Sequence, residues 1–255
     1  MGKVYFIGAG PGDPELITIK GKKIIDAADI IIYAGSLVNE NVLSGRKSDS
    51  MLFNSSSMTL EEVTKIMFDE KENNTIIARV HTGDPSIYGA IKEQIDFLNA
   101  NNISYEVVPG VSSFTAAAAS LGVEYTLPGV SQTVICTRME GRTSVPEKEK
   151  LSLLASHKAS MAIFLSVGMI EEVVKELLVH YDKETPVAAV YKASWNDEKK
   201  VTGTLGDIAG KIKNKKMNKH TLILVGDFLD SHYEKSKLYD KTFSHEFRSA
   251  QCRGE

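Results

Sequence analysis

Two Gly-Asp-Pro triplets, Gly12-Asp13-Pro14 and Gly83-Asp84-Pro85, each follow an apolar run and set a carboxylate in a tight turn. The first closes Gly8-Ala9-Gly10-Pro11-Gly12-Asp13-Pro14 behind Val4-Tyr5-Phe6-Ile7, and the second lies in the stretch His81 to Gly89 behind Thr75 to Val80. A strand that runs into a glycine-bearing turn and then a helix presents backbone N–H groups at the carboxyl edge of a parallel sheet, where α/β proteins bind ligands. A dinucleotide loop would carry its third glycine where Asp13 stands, which counts against a pyrophosphate. Carboxylates at such an edge suit a ribose hydroxyl, an amine or a sulfonium. Either triplet alone reads equally well as a turn whose Asp caps nearby N–H groups. His81 and Asp84 are the titratable groups best placed for acid–base work, although His81 bonded at its strand end and Asp84 holding its turn is the plainer reading.

The elements that must position these turns follow from hydrophobic patterning. Strands are expected at Val4–Ile7, Asp29–Tyr33, Thr75–Val80 and Tyr105–Val108, each buried enough for a parallel sheet. Helices are expected over 19–28 behind Thr18, over 60–71 behind Thr59 with Glu62 completing a capping box, up to about 100, and from Ser112-Ser113 to Leu121. Between 39 and 58 the chain is polar and serine-rich and reads as a surface loop, and Asn73-Asn74 as a turn. Alternating elements of these lengths predict an α/β fold with helices on both faces of a mostly parallel sheet. Gly122, Pro128, Gly129 and Ser131 mark a boundary, so residues 1–122 form one α/β domain and 123–230 a second. The second has strands at 132–137, 161–165 and 221–226, a hairpin-like pair at 186–191 and 199–203 around the turn Ala193 to Glu198, and helices to about 156, over 170–180 and over 205–213. The charged segment 231–255 is expected to be a loosely attached tail.

The 255 residues are 42% hydrophobic and supply a buried core, while a net charge of −3 gives no basic footprint for nucleic acid. No run approaches a membrane span of about 18 apolar residues. Two cysteines, Cys136 and Cys252, have neither metal-like nor disulfide-like spacing, which fits a reducing, cytoplasmic setting. No metal site is expected.

The run Val4 to Thr18, Tyr33-Ala34-Gly35-Ser36-Leu37-Val38, His81 to Gly89, Val108-Pro109-Gly110-Val111-Ser112-Ser113 and Thr137-Arg138-Met139-Glu140-Gly141-Arg142-Thr143 together resemble the tetrapyrrole (corrin/porphyrin) methylase family. Five motifs in order over residues 3 to about 228 carry the resemblance. Within the family, Tyr33-Ala34-Gly35-Ser36-Leu37 is similar to the branch acting at C-11 of precorrin-4 or its cobalt form. The uroporphyrinogen-III branch has an Asp where Ala34 stands and a Lys in the following loop, where this chain has Asn54 and Ser55 to Ser57. The resemblance implies two α/β domains, S-adenosylmethionine folded into the cleft between them, a homodimer, and cobalamin biosynthesis as the setting. Carried over residue by residue, it puts the donor, and S-adenosylhomocysteine as product, against Pro11, Thr82, Gly83, Asp84, Ile87, Ser112, Ser113, Ser166 and Ala193.

Methyl transfer from sulfonium to carbon is an in-line displacement and needs alignment more than a dedicated nucleophile. The macrocycle carries acetate and propionate groups, so cations should face it, with Arg138 and Arg142 first and Lys192 and Arg46 behind them. A solvated surface is the commoner fate of any one such cation. Rival readings are another ring methylase of the same family, such as a C-20 or C-17 enzyme, a nicotinamide-dependent oxidoreductase, and a non-enzymatic ligand-binding module. Asp13 and Ala34 count against the oxidoreductase, which would need a glycine and an acidic residue there.

Overall fold

Five short strands, β1 (Lys3–Gly8), β2 (Ile30–Tyr33), β3 (Met51–Asn54), β4 (Ile76–His81) and β5 (Ser104–Val108), make the first sheet of the computed structural model, in the order β3-β2-β4-β1-β5. The structure describes residues 2–71, 74–230 and 233–250. Asn73 and Cys252 fall outside that range. All four strand pairings in this sheet are parallel, so every carboxyl end lies on one edge. β1 lies inside the sheet between β4 and β5, as its uninterrupted apolar run requires, and Val4, Phe6 and Ile7 are fully buried.

Helices α1 (Ile19–Ala27), α2 (Leu60–Asp69), α3 (Lys92–Ala100) and α4 (Ser113–Leu121) join these strands. The Thr18 hydroxyl accepts from the Gly21 N–H at 3.1 Å and starts α1. α2 opens on the full capping box, Thr59 N–H to Glu62 at 2.7 Å and Glu62 N–H to the Thr59 hydroxyl at 3.3 Å. One face of the sheet buries Val4, Phe6, Ile30, Ile32 and Ile77 with Val63, Met67 and Leu98, and the other buries Ile7, Ile31, Ala78 and Val80 with Ile25 and Val42. Each of the larger side chains among them contributes about 1.5–3 kcal/mol by leaving water.

The segment 39–58 corrects the expectation of a plain loop. It holds a 3-10 turn at Glu40–Leu43, the edge strand β3 and a second 3-10 turn at Ser55–Ser57. β3 is only four residues long and leaves Met51 and Leu52 exposed, so it lacks the alternation that marks a half-buried strand.

The second sheet, in the order β6-β7-β10-β8-β9, contains β6 (Val134–Arg138), β7 (Ser160–Phe164), β8 (Pro186–Tyr191), β9 (Lys199–Thr204) and β10 (Thr221–Val225). It is mixed, with β7 parallel to β6 and antiparallel to β10. Its helices are α5 (Leu151–Ala155), α6 (Ile170–Leu177) and α7 (Ile208–Asn214). The chain groups into two units: one runs to Leu121 and takes in Val190–Lys200, and the other runs from Gly122 to Ala189 and resumes at Val201. Beyond the last strand, the Arg248 guanidinium donates to the carbonyls of Leu238 at 2.6 Å and Asp240 at 2.8 Å, tying residues 238–248 into a turn. No helix of the described residues is long and apolar enough to cross a membrane.

Candidate active site

At the carboxyl edge of the first sheet, three turns meet through their backbones. Gly10 and Gly83 form an antiparallel bridge, with the Gly83 N–H donating to the Gly10 carbonyl at 2.8 Å. The Ala9 N–H donates to the His81 carbonyl at 2.8 Å. Gly8 and Gly110 approach so closely that a Cβ on Gly110 would stand 2.2 Å from the Gly83 carbonyl oxygen and 2.7 Å from the Gly8 Cα. Only glycine fits between these three strand ends.

The two triplets use their carboxylates differently. Asp13 accepts from the Glu15 N–H at 2.9 Å and caps the 3-10 turn Pro14–Leu16. Asp84 accepts from the Ser86 N–H at 2.8 Å and from the Ser86 hydroxyl, while its other oxygen accepts from the Gly110 N–H at 2.9 Å. Burial pushes the Asp84 carboxyl up, but the Ser86 hydroxyl and the Gly110 and Ser86 N–H groups outweigh that and hold it below the usual value. It is therefore an ionised staple between the β4 and β5 turns.

Residues 192–198 lock the first turn. The Trp195 indole donates to the Pro11 carbonyl at 2.8 Å, and the Ser194 hydroxyl accepts from the Asp13 N–H at 3.0 Å. From the other side, the Asn39 amide donates to the Gly12 carbonyl at 2.8 Å. A Cβ on Gly12 would fall 2.0 Å from the Trp195 ring. Ser194 and Asn39 lie outside the expected site, because hydrogen bonds spanning 181 and 27 positions leave no local signal.

Pro11, Thr82, Gly83, Asp84, Ile87, Ser112, Ser113 and Ala193 are thus gathered by the first unit around these turns. The Ser112 carbonyl accepts from the Ala116 N–H at 3.3 Å and the Thr115 hydroxyl at 2.7 Å as α4 begins. Among the described residues, the hydroxyls of Thr82, Ser112 and Ser113 have no hydrogen-bond partner. Unengaged hydroxyls beside exposed backbone suit a ligand rich in hydroxyl and amine groups, and the chemistry of the set fits an adenosyl amino acid.

His81 is 4% exposed, and its Nε2 has no partner. Burial, with the Arg79 charge adding to it, pushes its imidazole down to about 3, so it is neutral at physiological pH and a weak base. At the strand end His81 bonds through its backbone, its carbonyl accepting from the Ala9 N–H, while the ring Nε2 stays unpartnered.

Ser166 lies in the second unit, fully buried at the end of β7, where its hydroxyl donates to the Phe164 carbonyl at 2.6 Å and accepts from the Met139 N–H at 2.8 Å. Its side chain fastens the Met139 loop to that strand end. Next to it, Leu165 has a φ of 55° and is 72% exposed, a strained position for a large apolar residue. The expected cations divide sharply. Arg138 donates to the carbonyls of Met139 at 3.3 Å, Thr143 at 3.1 Å and Ser144 at 2.6 Å, so its guanidinium folds its own loop. Arg142 stands exposed in that loop. In the first unit Lys192 pairs with Asp197 at 2.7 Å over the Trp195 ring, and exposed Arg46 donates to the Leu43 carbonyl at 3.3 Å.

Comparison with known proteins gives the arrangement a lineage. Residues 3–209 match the family model of the Tetrapyrrole (Corrin/Porphyrin) Methylases. The chain is 60% identical over 250 residues to a cobalt-precorrin-4 C(11)-methyltransferase of Methanocaldococcus jannaschii, covering 97% of this chain and 96% of that protein. It is 46% identical to the precorrin-4 C(11)-methyltransferase of Pseudomonas aeruginosa, covering 97% of this chain and 99% of that protein. Among solved structures, a cobalt precorrin-4 methyltransferase of cobalamin biosynthesis superposes with a TM-score of 0.87 at 45% identity over 90% of this chain and 96% of that one. A uroporphyrin-III C-methyltransferase of Thermus thermophilus, complexed with S-adenosylhomocysteine, superposes at 0.74 with 26% identity over 91% of this chain and 96% of that one. With matches of this extent the chain belongs to the tetrapyrrole (corrin/porphyrin) methylase family.

Proposed function

We propose that the chain methylates C-11 of cobalt-precorrin-4 in cobalamin biosynthesis, with S-adenosylmethionine as methyl donor. The observation that carries this is the 60% identity to the Methanocaldococcus jannaschii enzyme across nearly all of both chains. The donor supplies an electrophilic methyl on a sulfonium. Pro11, Thr82, Gly83, Asp84, Ile87, Ser112, Ser113 and Ala193, together with Ser166, are the residues assigned to hold it. The chain's own part is alignment and exclusion of water, for which turns fixed by Asp84, Asn39 and Trp195 are suited. Neither His81 nor Asp84 is assigned a proton-transfer step: the first is held neutral and the second has both oxygens engaged. Arg142 is the free cation assigned to the ring carboxylates, with Lys192 and Arg46 in secondary places and Arg138 shaping the loop. The working form is read as a cytoplasmic homodimer, on the family resemblance and the composition.

Incubation with S-adenosylmethionine and either cobalt-precorrin-4 or metal-free precorrin-4, followed by NMR of the isolated product, tests this. A new methyl on C-11 with preference for the cobalt form is expected. A methyl at another ring carbon, or turnover of the metal-free ring alone, would overturn the assignment.

A further inference from the structure

Arg79 is a cation in the wrong place for a purely structural residue. It lies in β4 on the face that buries Ile77, Phe6 and Ile32, and only 8% of it is exposed. Its Nε donates to the Gln94 side chain at 3.1 Å, and its Nη1 donates to the Ile32 carbonyl at 3.3 Å and the Ser55 hydroxyl at 3.0 Å. All three acceptors are neutral, and no carboxylate of the described residues lies within ion-pair distance. Burial lowers the guanidinium to about 10, so it stays charged near neutrality. A buried charge without a counter-ion is costly, and a fold that needed only a fork of donors could have placed Glu where Gln94 stands. Nη2 has no acceptor, yet it is not sealed from solvent as the His81 Nε2 is. Two residues along on the same face, that Nε2 is a second polar atom without a partner.

We infer that the carboxyl end of β4 is an anion subsite in which a peripheral carboxylate of the tetrapyrrole ring pairs with Arg79 Nη2 beside His81. The carboxylate supplies the counter-ion that Gln94 does not, and an Arg–carboxylate pair adds direction as well as charge. This subsite rests on the ring-substrate reading above and adds to it a recognition residue inside the first sheet, where the cations read from the sequence lie in loops or, for Arg138, at the end of a strand of the second. Gln94 is the informative neighbour. It is itself buried, donates to the Ala90 carbonyl at 3.0 Å, and a carboxylate there would neutralise Arg79 from within.

The test uses calorimetric titration of the full chain with a cobalt corrin whose peripheral carboxylates are free, with the same corrin fully methyl-esterified, and with S-adenosylhomocysteine. Gln94→Glu should weaken the free acid by about tenfold or more, leave the ester and S-adenosylhomocysteine within about twofold, and keep the melting temperature at or above that of the wild type. Arg79→Met should show the same selective loss, and Arg79→Lys, which keeps charge but not the fork, a smaller one. Should Arg79→Met fail to fold, Gln94→Glu decides alone. Free-acid binding unchanged in Gln94→Glu, or equal losses of acid and ester, overturns the subsite. A wild type that binds S-adenosylhomocysteine and neither corrin overturns the ring reading, and the subsite with it.

Discussion

The same tripeptide, Gly-Asp-Pro, does two different jobs at one sheet edge. At 12–14 the carboxylate serves its own turn, and the turn is pinned from outside by Trp195, Ser194 and Asn39. At 83–85 the carboxylate reaches out, pinning the Gly110 N–H beyond the end of β5, on the far side of β1. The first turn is held by others, whereas the second does the holding. Identical local sequence thus says little about which group is structurally dominant, since that depends on what the register brings opposite. In β1 and β4 the register puts Gly8 beside His81, so the chain continues directly into the Gly10–Gly83 bridge.

The sharpest way to break the contrast is to separate the strand ends on which it depends. Gly110→Ala places a methyl against the Gly83 carbonyl and Gly8, and should cost about 3 kcal/mol or more in chemical denaturation while abolishing S-adenosylhomocysteine binding. Asp84→Ala comes next. It releases the Gly110 and Ser86 N–H groups, and about 2 kcal/mol of stability and about tenfold in S-adenosylhomocysteine affinity should go with it. Trp195→Phe keeps an aromatic ring but frees the Pro11 carbonyl, for a loss of about 1 kcal/mol and a smaller fall in affinity. Asp13→Ala removes one cap on a three-residue turn and should cost about 0.5 kcal/mol, with donor binding nearly intact. If Asp13→Ala proved as damaging as Asp84→Ala, the division of labour would be wrong.

Acid sharpens the same point. The folded Asp84 carboxyl is held below its ordinary value, so its contribution is complete above about pH 4 and is lost as the pH falls through the lowered folded value. The stability gap between the wild type and Asp84→Asn, measured by denaturation at stepped pH, should be flat near neutrality and shrink towards pH 3. A gap that widened as the pH fell would contradict the ionised staple.

Local signals carried well where the physics is local. The caps at Thr18 and Thr59, the glycine-bearing turns and the apolar strands all depend on residues within one turn of each other. β3 escaped because an exposed four-residue edge strand in a serine-rich stretch has neither length nor alternation. Asn39 and the bond from Trp195 to Pro11 escaped for another reason: the partners at Gly12 and Pro11 are set by tertiary packing alone. Arg79 reads in sequence as the one polar interruption of a strand, and only its neighbours Gln94, Ser55 and Ile32 reveal an unbalanced charge. Arg138 shows the same limit from another side, since its bonds to three carbonyls of its own loop leave no mark in the motif that contains it.

The indole that closes over Gly12 is also the chain's sole tryptophan. Its Nε1–H is committed to the Pro11 carbonyl, so its emission comes from one chemically defined spot on the glycine-rich turn. A single intrinsic fluorophore thus sits against the glycine-rich turn, and the steady-state spectrum of the unlabelled protein reports the surroundings of that turn without interference from any second indole.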